Sequence, residues 1–435
     1  MQNVKGTADF WGNEQALRRK VQAALRETFE LFDYEELESA ILNEEELLVS
    51  KYTGGEEIVK EMYRFGDQGE RQLALRYDLT IPFAKVLALN PGIVLPFRRY
   101  EIGKVFRDGP TKRGRMREFT QCDADVAGIA GPEAEAELMQ LAATVFEKLS
   151  IPVTLRWNNR RLLGELMQAV GVPDDLALSV MLTLDKLAKI GIGGVLEELE
   201  AKGLDEGVIR SLSEMAEWLS ATEVSIDAVA ERYALGDAQG LQEALALQTL
   251  LTRLDLDRIC RFDPFLSRGL SFYTGTVYEI FDASVAYTSS LGGGGRYDEM
   301  IGHLIDREDA AYPTVGLSFG LEPIMELLRE RGWAENARPL AAVVPASSGV
   351  EAECLAAASA FRAAGIRTRQ LTSGRKLKRS LAMLSASGIR FAILIGTDEA
   401  RAGKVTLKDM IGMTEETVEV EEAIYRIERW SGSEQ

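Results

Sequence analysis

Apolar residues return at three- and four-residue steps between positions 10 and 33, where Leu17, Val21, Ala24, Leu25, Phe29 and Phe32 fall on one stripe. That period predicts an amphipathic helix. The pattern then shifts to strand-like runs: "RQLALRYD" at 71–78, "VLPFRRYEIGKVFRDG" at 94–109 and "MREFTQCDADVAG" at 116–128. The last two are separated by "DGPTKRG", a Gly/Pro/Lys tip expected of a hairpin. "PEAEAELMQLAATVFEKL" at 132–149 opens on Pro132 and an acidic first turn, which marks a helix start. From about 158 to 250 the chain reads as helical almost throughout, with many charges. Strand alternation returns in "SRGLSFYTGTVYEIF" at 267–281, before "LGGGGRYDEM" and "PTVGLSFGLEPIMELLRERG". Beyond 338, parallel-looking strands alternate with helices ("LAAVVPA", "IRTRQL", "FAILIG", "KVTLKD").

These textures predict an α+β protein. An antiparallel sheet flanked by helices forms the body over 1–157 and 256–332, a helical insertion occupies 158–255, and a small α/β domain occupies 338–435. The 435-residue length supports two or three domains, and 46% hydrophobic with 27% charged residues is the composition of a soluble globular chain. No apolar run approaches the ~20 residues of a membrane span, and the opening "MQNVKGTADFW" carries neither region of a signal peptide. Cys122, Cys260 and Cys354 stand far apart without a CxxC pair. A reducing, cytoplasmic setting is therefore expected, and no metal-ligand motif is seen.

The chain holds one histidine, His303, in the helix-like "YDEMIGHLIDRED". Hydrolase mechanisms that need a histidine base are thereby set aside unless His303 serves. The net charge of −18 argues against nonspecific coating of nucleic acid. Six basic residues nevertheless cluster at Arg367, Arg369, Arg375, Lys376, Lys378 and Arg379, either as a solvated face or as a local anion-binding surface.

Arg107, Lys112, Arg113, Arg115 and Arg117 crowd the hairpin at 107–117. Guanidinium groups turned inward need anionic partners, and polyphosphate oxygens match their paired donors; a salt-bridged surface hairpin is the competing account. Residues 292–295 are all glycine, with no GK[ST] after them and no GxGxxG opening a helix elsewhere. A P-loop or Rossmann site is disfavoured, and the run suggests either backbone that must approach a ligand or another strand closely or a plain glycine-rich hairpin. Tyr297 follows it. Asp78 and Thr80 sit at a strand-to-turn junction where an ammonium group could be received, although both types are common in turns.

The stretches "KGTADF", "LALRYDLTIPFAKVLA", "GRMREFTQCDADVAG", "RGLSFYTGTVYEIF", "LGGGGRYDEM", "VGLSFGLE" and "SGRKLKRSL…GKVTLKDM" occur in this order along nearly the whole chain. Together they closely resemble the histidyl-tRNA synthetases, which are class II aminoacyl-tRNA ligases. The resemblance implies the class II fold with an anticodon-binding domain at the C-terminal end. It implies that Arg268 and Arg107 act in catalysis, contacting the ATP α-phosphate, and that Arg115 contacts phosphates or the tRNA end. Asp78 and Thr80 would hold the α-amino group of histidine, Gln121 its polar atoms, and Asp125, Tyr273 and Tyr297 the imidazole. Gly269 would bend the backbone so that Arg268 and Tyr273 share a pocket. Arg375, Lys376, Lys378 and Arg379 would face tRNA. ATP with Mg2+, L-histidine, tRNA(His) and a homodimer built across the segment near Ala40 complete the implied set.

Some positions depart from the family pattern. Pro323 stands where an arginine for the γ-phosphate is expected, Ser271 and Phe272 replace an acid and a tyrosine, and Ala40 replaces a proline. Gly109, beside Asp108, stands where an acid that helps read adenine is expected. Two functions follow: a histidine–tRNA ligase, or a paralogue acting as a regulator, such as the regulatory subunit of ATP phosphoribosyltransferase. The basic C-terminal domain favours the first.

Overall fold

The computed structural model describes residues 1–49, 59–111, 114–221, 224–268, 272–284, 286–305, 312–335 and 338–433. It divides into two compact units, residues 1–9 with 17–333 and residues 10–16 with 334–435.

The stripe read from the sequence is a helix, Gly12–Leu31, which from Leu17 onward belongs to the larger unit and buries Leu17, Val21, Leu25 and Phe29 in the main core. Strand β1 is Glu35–Glu36. A small sheet of β2 (Leu42–Glu44), β3 (Arg64–Gly66) and β4 (Gln72–Leu75) precedes the helix Thr80–Leu89. The long antiparallel hairpin follows, β5 (Phe97–Phe106) against β6 (Glu118–Ala127). With β7 (Val153–Asn159), β8 (Cys260–Phe262), β9 (Thr276–Asp282), β10 (Gly292–Arg296) and β11 (Thr314–Gly320) it builds an eight-stranded sheet ordered β1-β5-β6-β11-β10-β9-β7-β8. Pairing is antiparallel from β5 through to β7, and parallel only at the two edges.

Alternation gives this sheet two unlike faces. One carries Tyr100, Cys122, Ala124, Val126, Val315, Leu317, Phe319, Tyr278 and Ile280, all buried against Gly12–Leu31 and Glu133–Lys148 in one hydrophobic core. The other carries Arg99, Glu101, Gln121, Asp123, Asp125, Gly316, Ser318, Gly293, Gly295 and Glu279, which the strand registers bring into facing rows. The apolar face holds the sheet together. The polar face is where chemistry can occur.

Between β7 and β8 the chain is helical: Arg160–Ala169, Asp174–Leu184, Leu187–Glu200, Glu206–Ala221, Ile226–Arg232 and Gln239–Arg253. Most of these pack a core of their own around Leu163, Leu166, Val180, Val195 and Leu212. Leu241, Ala244, Leu247 and Leu251 of the last helix instead join the main core.

The strand expected over 267–281 begins only at Thr276. Arg268 has a left-handed backbone (φ 55°), which ends any extended run there. Gly269 and Ser271 lie outside the described residues.

The smaller unit has a sheet ordered β13-β12-β14-β15-β16, with β12 (Ala341–Pro345), β13 (Thr368–Gln370), β14 (Phe391–Ile395), β15 (Lys404–Asp409) and β16 (Thr414–Glu419). Only β12 pairs in parallel, with β13 and β14; β14–β15 and β15–β16 are antiparallel. The expectation of an all-parallel pattern is corrected accordingly. Asp409 caps the turn after β15 by accepting from the backbone N–H groups of Ile411 and Gly412, so the chain doubles straight back.

Candidate functional site

The polar face is floored by glycine. A Cβ at Gly293 would stand 1.7 Å from Nη1 of Arg268, one at Gly295 2.9 Å from Cδ1 of Tyr273, and one at Gly316 1.9 Å from Oδ1 of Asp125. Any side chain at these points would fill the space that Arg268, Tyr273 and Asp125 occupy. Gly292 and Gly294 point to the other face, where a Cβ would strike the backbone of β11. The glycine run thus allows close approach of another strand on one face and leaves room for Arg268 and Tyr273 on the other.

Arg268 donates from Nη1 to the carbonyl of Tyr278 at 2.9 Å, and its guanidinium stands 5.9 Å from the Tyr273 ring centre. Glu279 lies 3.7 Å away. Arg268 and Tyr273 thus share one place. Phe272 tilts against Tyr273 and meets Tyr297 edge-on. The Tyr297 hydroxyl donates to Asp125 Oδ1, and burial pushes that hydroxyl well above the usual phenol value.

Arg99 is fully buried on β5. It pairs with Asp125 Oδ2 at 2.7 Å, donates to the Leu79 carbonyl at 2.9 Å and stacks over Phe83. Beneath it, Arg76 pairs with Glu101 at 2.7 Å and also donates to Ser39 and to the Lys104 carbonyl. A buried pair with this many hydrogen bonds is fully compensated. Burial pushes Asp78 up to about 6, although its Oδ1 accepts from the Ile81 N–H and Arg107 and Arg99 pull the other way. Asp123 is pushed up to about 8 by burial. Thr80 starts the helix just behind Asp78.

Arg107 leaves the end of β5, donates to the Tyr77 carbonyl at 3.0 Å and lies over Phe119. Burial lowers its ordinary value, with Asp78 opposing that shift. Arg115 is tied to both oxygens of Glu61 at 2.6 and 2.7 Å. The Glu61 carboxylate also packs into the space left by Gly109, within 2.5–2.7 Å of where a Cβ would stand. Arg117 pairs with Asp108 at 3.2 Å. Lys112 and Arg113 lie outside the described residues. Pro323 is the third residue of the helix Leu321–Glu330, in the first turn, where its missing N–H costs no helix bond.

The structure therefore brings Asp78, Gln121, Asp125, Tyr273, Tyr297, Arg107 and Arg268 to one side of the sheet. Arg115 stands at the hairpin with Glu61. In the smaller unit, Arg375, Lys376, Lys378 and Arg379 are exposed around the start of the helix Leu377–Ala386. His303 lies in a short helix, Met300–Leu304, as read. Sequence reasoning passed over Arg99, Asp123, Gly316 and Ser318. The only signal for them was their shared period-two phase with Gln121 and Asp125, which becomes informative once the strand order is known.

An antiparallel sheet with an arginine- and carboxylate-lined face, joined in sequence to an α/β unit, is the arrangement expected of a class II aminoacyl-tRNA synthetase. The sequence pattern described as Histidyl-tRNA synthetase matches residues 6–324, and that described as Anticodon binding domain matches residues 341–430. The Histidine--tRNA ligase 1 of Bacillus anthracis is 45% identical over 412 residues, 94% of this chain and 96% of its own. The Histidine--tRNA ligase of Aeropyrum pernix is 34% identical over 435 residues, covering 98% and 97%. The crystal structure of a histidyl-tRNA synthetase from Nostoc sp. PCC 7120 superposes with a TM-score of 0.83 at 25% identity, covering 98% and 99%. A structure titled as an ATP phosphoribosyltransferase regulatory subunit/histidyl-tRNA synthetase from Bacillus halodurans C shares the fold, with a TM-score of 0.74 at 19% identity over 91% and 98%. The chain belongs to the histidyl-tRNA synthetase family.

Proposed function

We infer that the protein is a histidine–tRNA ligase: it activates histidine with ATP and passes the histidyl group to the 3′ end of tRNA(His). The observation that supports this most is the row of site residues across β5, β6, β11 and β10. It sets a polar niche beside two guanidinium groups on a floor cleared by glycine.

In this reading the α-amino group of histidine is received by Asp78 and Thr80, with Gln121 on its polar atoms. Asp125 and the Tyr297 hydroxyl bound to it read the imidazole N–H, and Tyr273 closes the pocket wall. A site built around a hydrogen bond rejects apolar isosteres steeply, because the buried carboxylate would be left unpaired. Arg107 and Arg268 hold the α-phosphate while the histidine carboxylate attacks phosphorus and pyrophosphate leaves. The terminal ribose hydroxyl of tRNA then attacks the acyl adenylate. Both steps rest on positioning and on preorganised positive charge. Pro323 offers no donor, so cationic contacts to the nucleotide come from Arg107, Arg115 and Arg268. Mg2+ enters with ATP and supplies charge stabilisation at the phosphates. Among the described residues no group of three His, Cys, Asp or Glu is arranged to hold a metal ion.

Arg375, Lys376, Lys378 and Arg379 meet tRNA phosphates. Cations at a helix N-terminus oppose the helix dipole, so helix stability does not account for them, whereas an anionic partner does. The helices 158–255 form an insertion between the two parts of the catalytic body, 1–157 and 256–332, and 338–435 reads the anticodon. A homodimer in the cytoplasm completes the reading; no helix among the described residues is long and apolar enough to cross a membrane. The regulator alternative draws on a shared fold alone. Pyrophosphate exchange decides between them: exchange dependent on histidine and ATP, followed by charging of tRNA(His), is expected. Histidine binding without any exchange would sink the ligase reading.

A further inference from the structure

The stretch that carries Arg268 and Tyr273 is tied to the helical insertion at both ends. At the leading end the Ser267 N–H donates to Oδ1 of Asp185 at 3.0 Å. Ser267 is fully buried, and Asp185 follows directly on the helix Asp174–Leu184. At the trailing end Arg161, in the helix Arg160–Ala169, donates from Nε to the Thr274 carbonyl at 3.1 Å, and its Nη1 pairs with Glu243 at 3.1 Å. The Arg160 N–H adds a bond to the Gly275 carbonyl at 3.0 Å.

The chain ahead of Ser267 is fixed independently. Asn158 on β7 donates to the carbonyls of Pro264 and Leu266, Asp263 accepts from the Phe265 N–H, and Phe265 joins Val180, Met181 and Leu184 in the core of the insertion. Ser267 then leads straight into the left-handed backbone of Arg268 (φ 55°). A residue other than glycine keeps that conformation only where its surroundings impose it. Here they act from two sides: Asp185 fixes the N–H just ahead of Arg268, and the Tyr278 carbonyl holds its guanidinium. A carboxylate just past a helix C-terminus opposes the helix dipole, so helix stability does not call for Asp185. Its charge also reaches Arg268: burial works against the guanidinium charge, yet Tyr273, Glu279, Tyr278 and Asp185 together hold it above its ordinary value.

Resting on the ligase reading above, we propose that Asp185 is a positioning residue for adenylation: through the Ser267 N–H it fixes the backbone that aims Arg268 at the α-phosphate. The helical insertion is thereby a working part of the catalytic body, with Arg161 holding the other end of the stretch, next to Tyr273. Without the Asp185 acceptor the buried Ser267 N–H is left unpaired, which is costly. The backbone then relaxes toward an ordinary conformation at Arg268, and the guanidinium drifts from its place.

The test measures pyrophosphate exchange on full-length variants, with the melting temperature and calorimetric histidine binding alongside. Asp185→Ala is expected to lower kcat about ten- to a hundredfold, as displacement of a preorganised group does. Histidine Kd should stay within about threefold, because the lost interaction acts on the reacting phosphate. Asp185→Asn keeps an acceptor oxygen in the same place and is expected to return kcat to within about threefold of the wild type. In an Arg268→Lys background Asp185→Ala should cost little more, since it acts through Arg268; a fully additive loss overturns the proposal. A lower melting temperature with unchanged kcat, or an Asn variant as slow as the Ala variant, overturns it as well. Should Asp185→Ala fail to fold, Asp185→Glu, which moves the carboxylate by one methylene, takes its place: a lowered kcat supports the proposal and a wild-type kcat overturns it. Absence of exchange in the wild-type protein overturns the ligase reading and this role together, a result distinct from wild-type exchange that the Asp185 variants leave unaltered.

Discussion

At the scale of single residues, the site is made by what is left out as much as by what is present. Gly316 sits in the middle of β11, opposite Asp125, and a methyl group there would lie 1.9 Å from Oδ1 of Asp125 and 3.3 Å from the Tyr297 ring. Ordinary contact is nearer 3.5 Å, so Asp125 must swing by more than 1 Å. Displacement of that size in a preorganised site typically costs about 10² in rate. Gly316→Ala is therefore expected to raise KM for histidine or lower kcat by a combined factor of about 10² in pyrophosphate exchange. The melting temperature should change by only a few degrees, because the obstructing atoms belong to side chains. The charged half of the candidate site could be named in advance: residue type draws attention to Asp78 and Arg107, the family resemblance adds Asp125 and Arg268, and four consecutive glycines stand out. Gly316, Asp123 and Ser318 do not announce themselves. A lone glycine, an acid among acids and a serine in a strand gain meaning only from the residue opposite, and that partner is nearly two hundred positions away in sequence.

At the scale of elements, one buried ion pair ties three of them together. Arg18, on the helix Gly12–Leu31, bonds Glu322 at 2.9 Å. Glu322, in the first turn of Leu321–Glu330, accepts from the Thr120 N–H at the start of β6. The side chains are 6% and 7% exposed. Removing one partner of such a pair leaves the other charge buried, at a cost of about 3–5 kcal/mol. Glu322→Ala is expected to lose stability on that scale in denaturant unfolding, while Pro323→Ala, one position on, should stay within about 0.5 kcal/mol because a first-turn N–H has no intrahelical partner. Helices were the most legible elements, since a buried stripe imposes its period on the sequence over many turns. The stretch 267–281 was the least legible. Its residues favour extended structure throughout, yet Arg268 takes a left-handed backbone and the strand starts eight residues later, at Thr276. Intrinsic preference for β structure yields there to the packing of Arg268 over Gly293 and Tyr273.

At the scale of the whole molecule, function is divided between the two units. The larger carries the candidate adenylation site, and the smaller presents Arg375, Lys376, Lys378 and Arg379 to solvent. Changing all four to Ala is expected to raise KM for tRNA about ten- to a hundredfold near physiological salt and to flatten its salt dependence, as loss of phosphate contacts does. Pyrophosphate exchange, which needs no tRNA, should be unaffected. The net charge of −18 masked this surface, because total charge describes solubility and long-range attraction, not where cations cluster. Reading along the chain was enough for the order of most elements and the α+β class, because periodicity and residue type are local properties. The strand order β1-β5-β6-β11-β10-β9-β7-β8, the mixed pairing of the smaller sheet, and the row Asp123–Ser318–Gly293 came only from tertiary structure. Strand pairing is a contact between segments distant in sequence, and no local preference specifies which edge a strand will join or what will stand across from it.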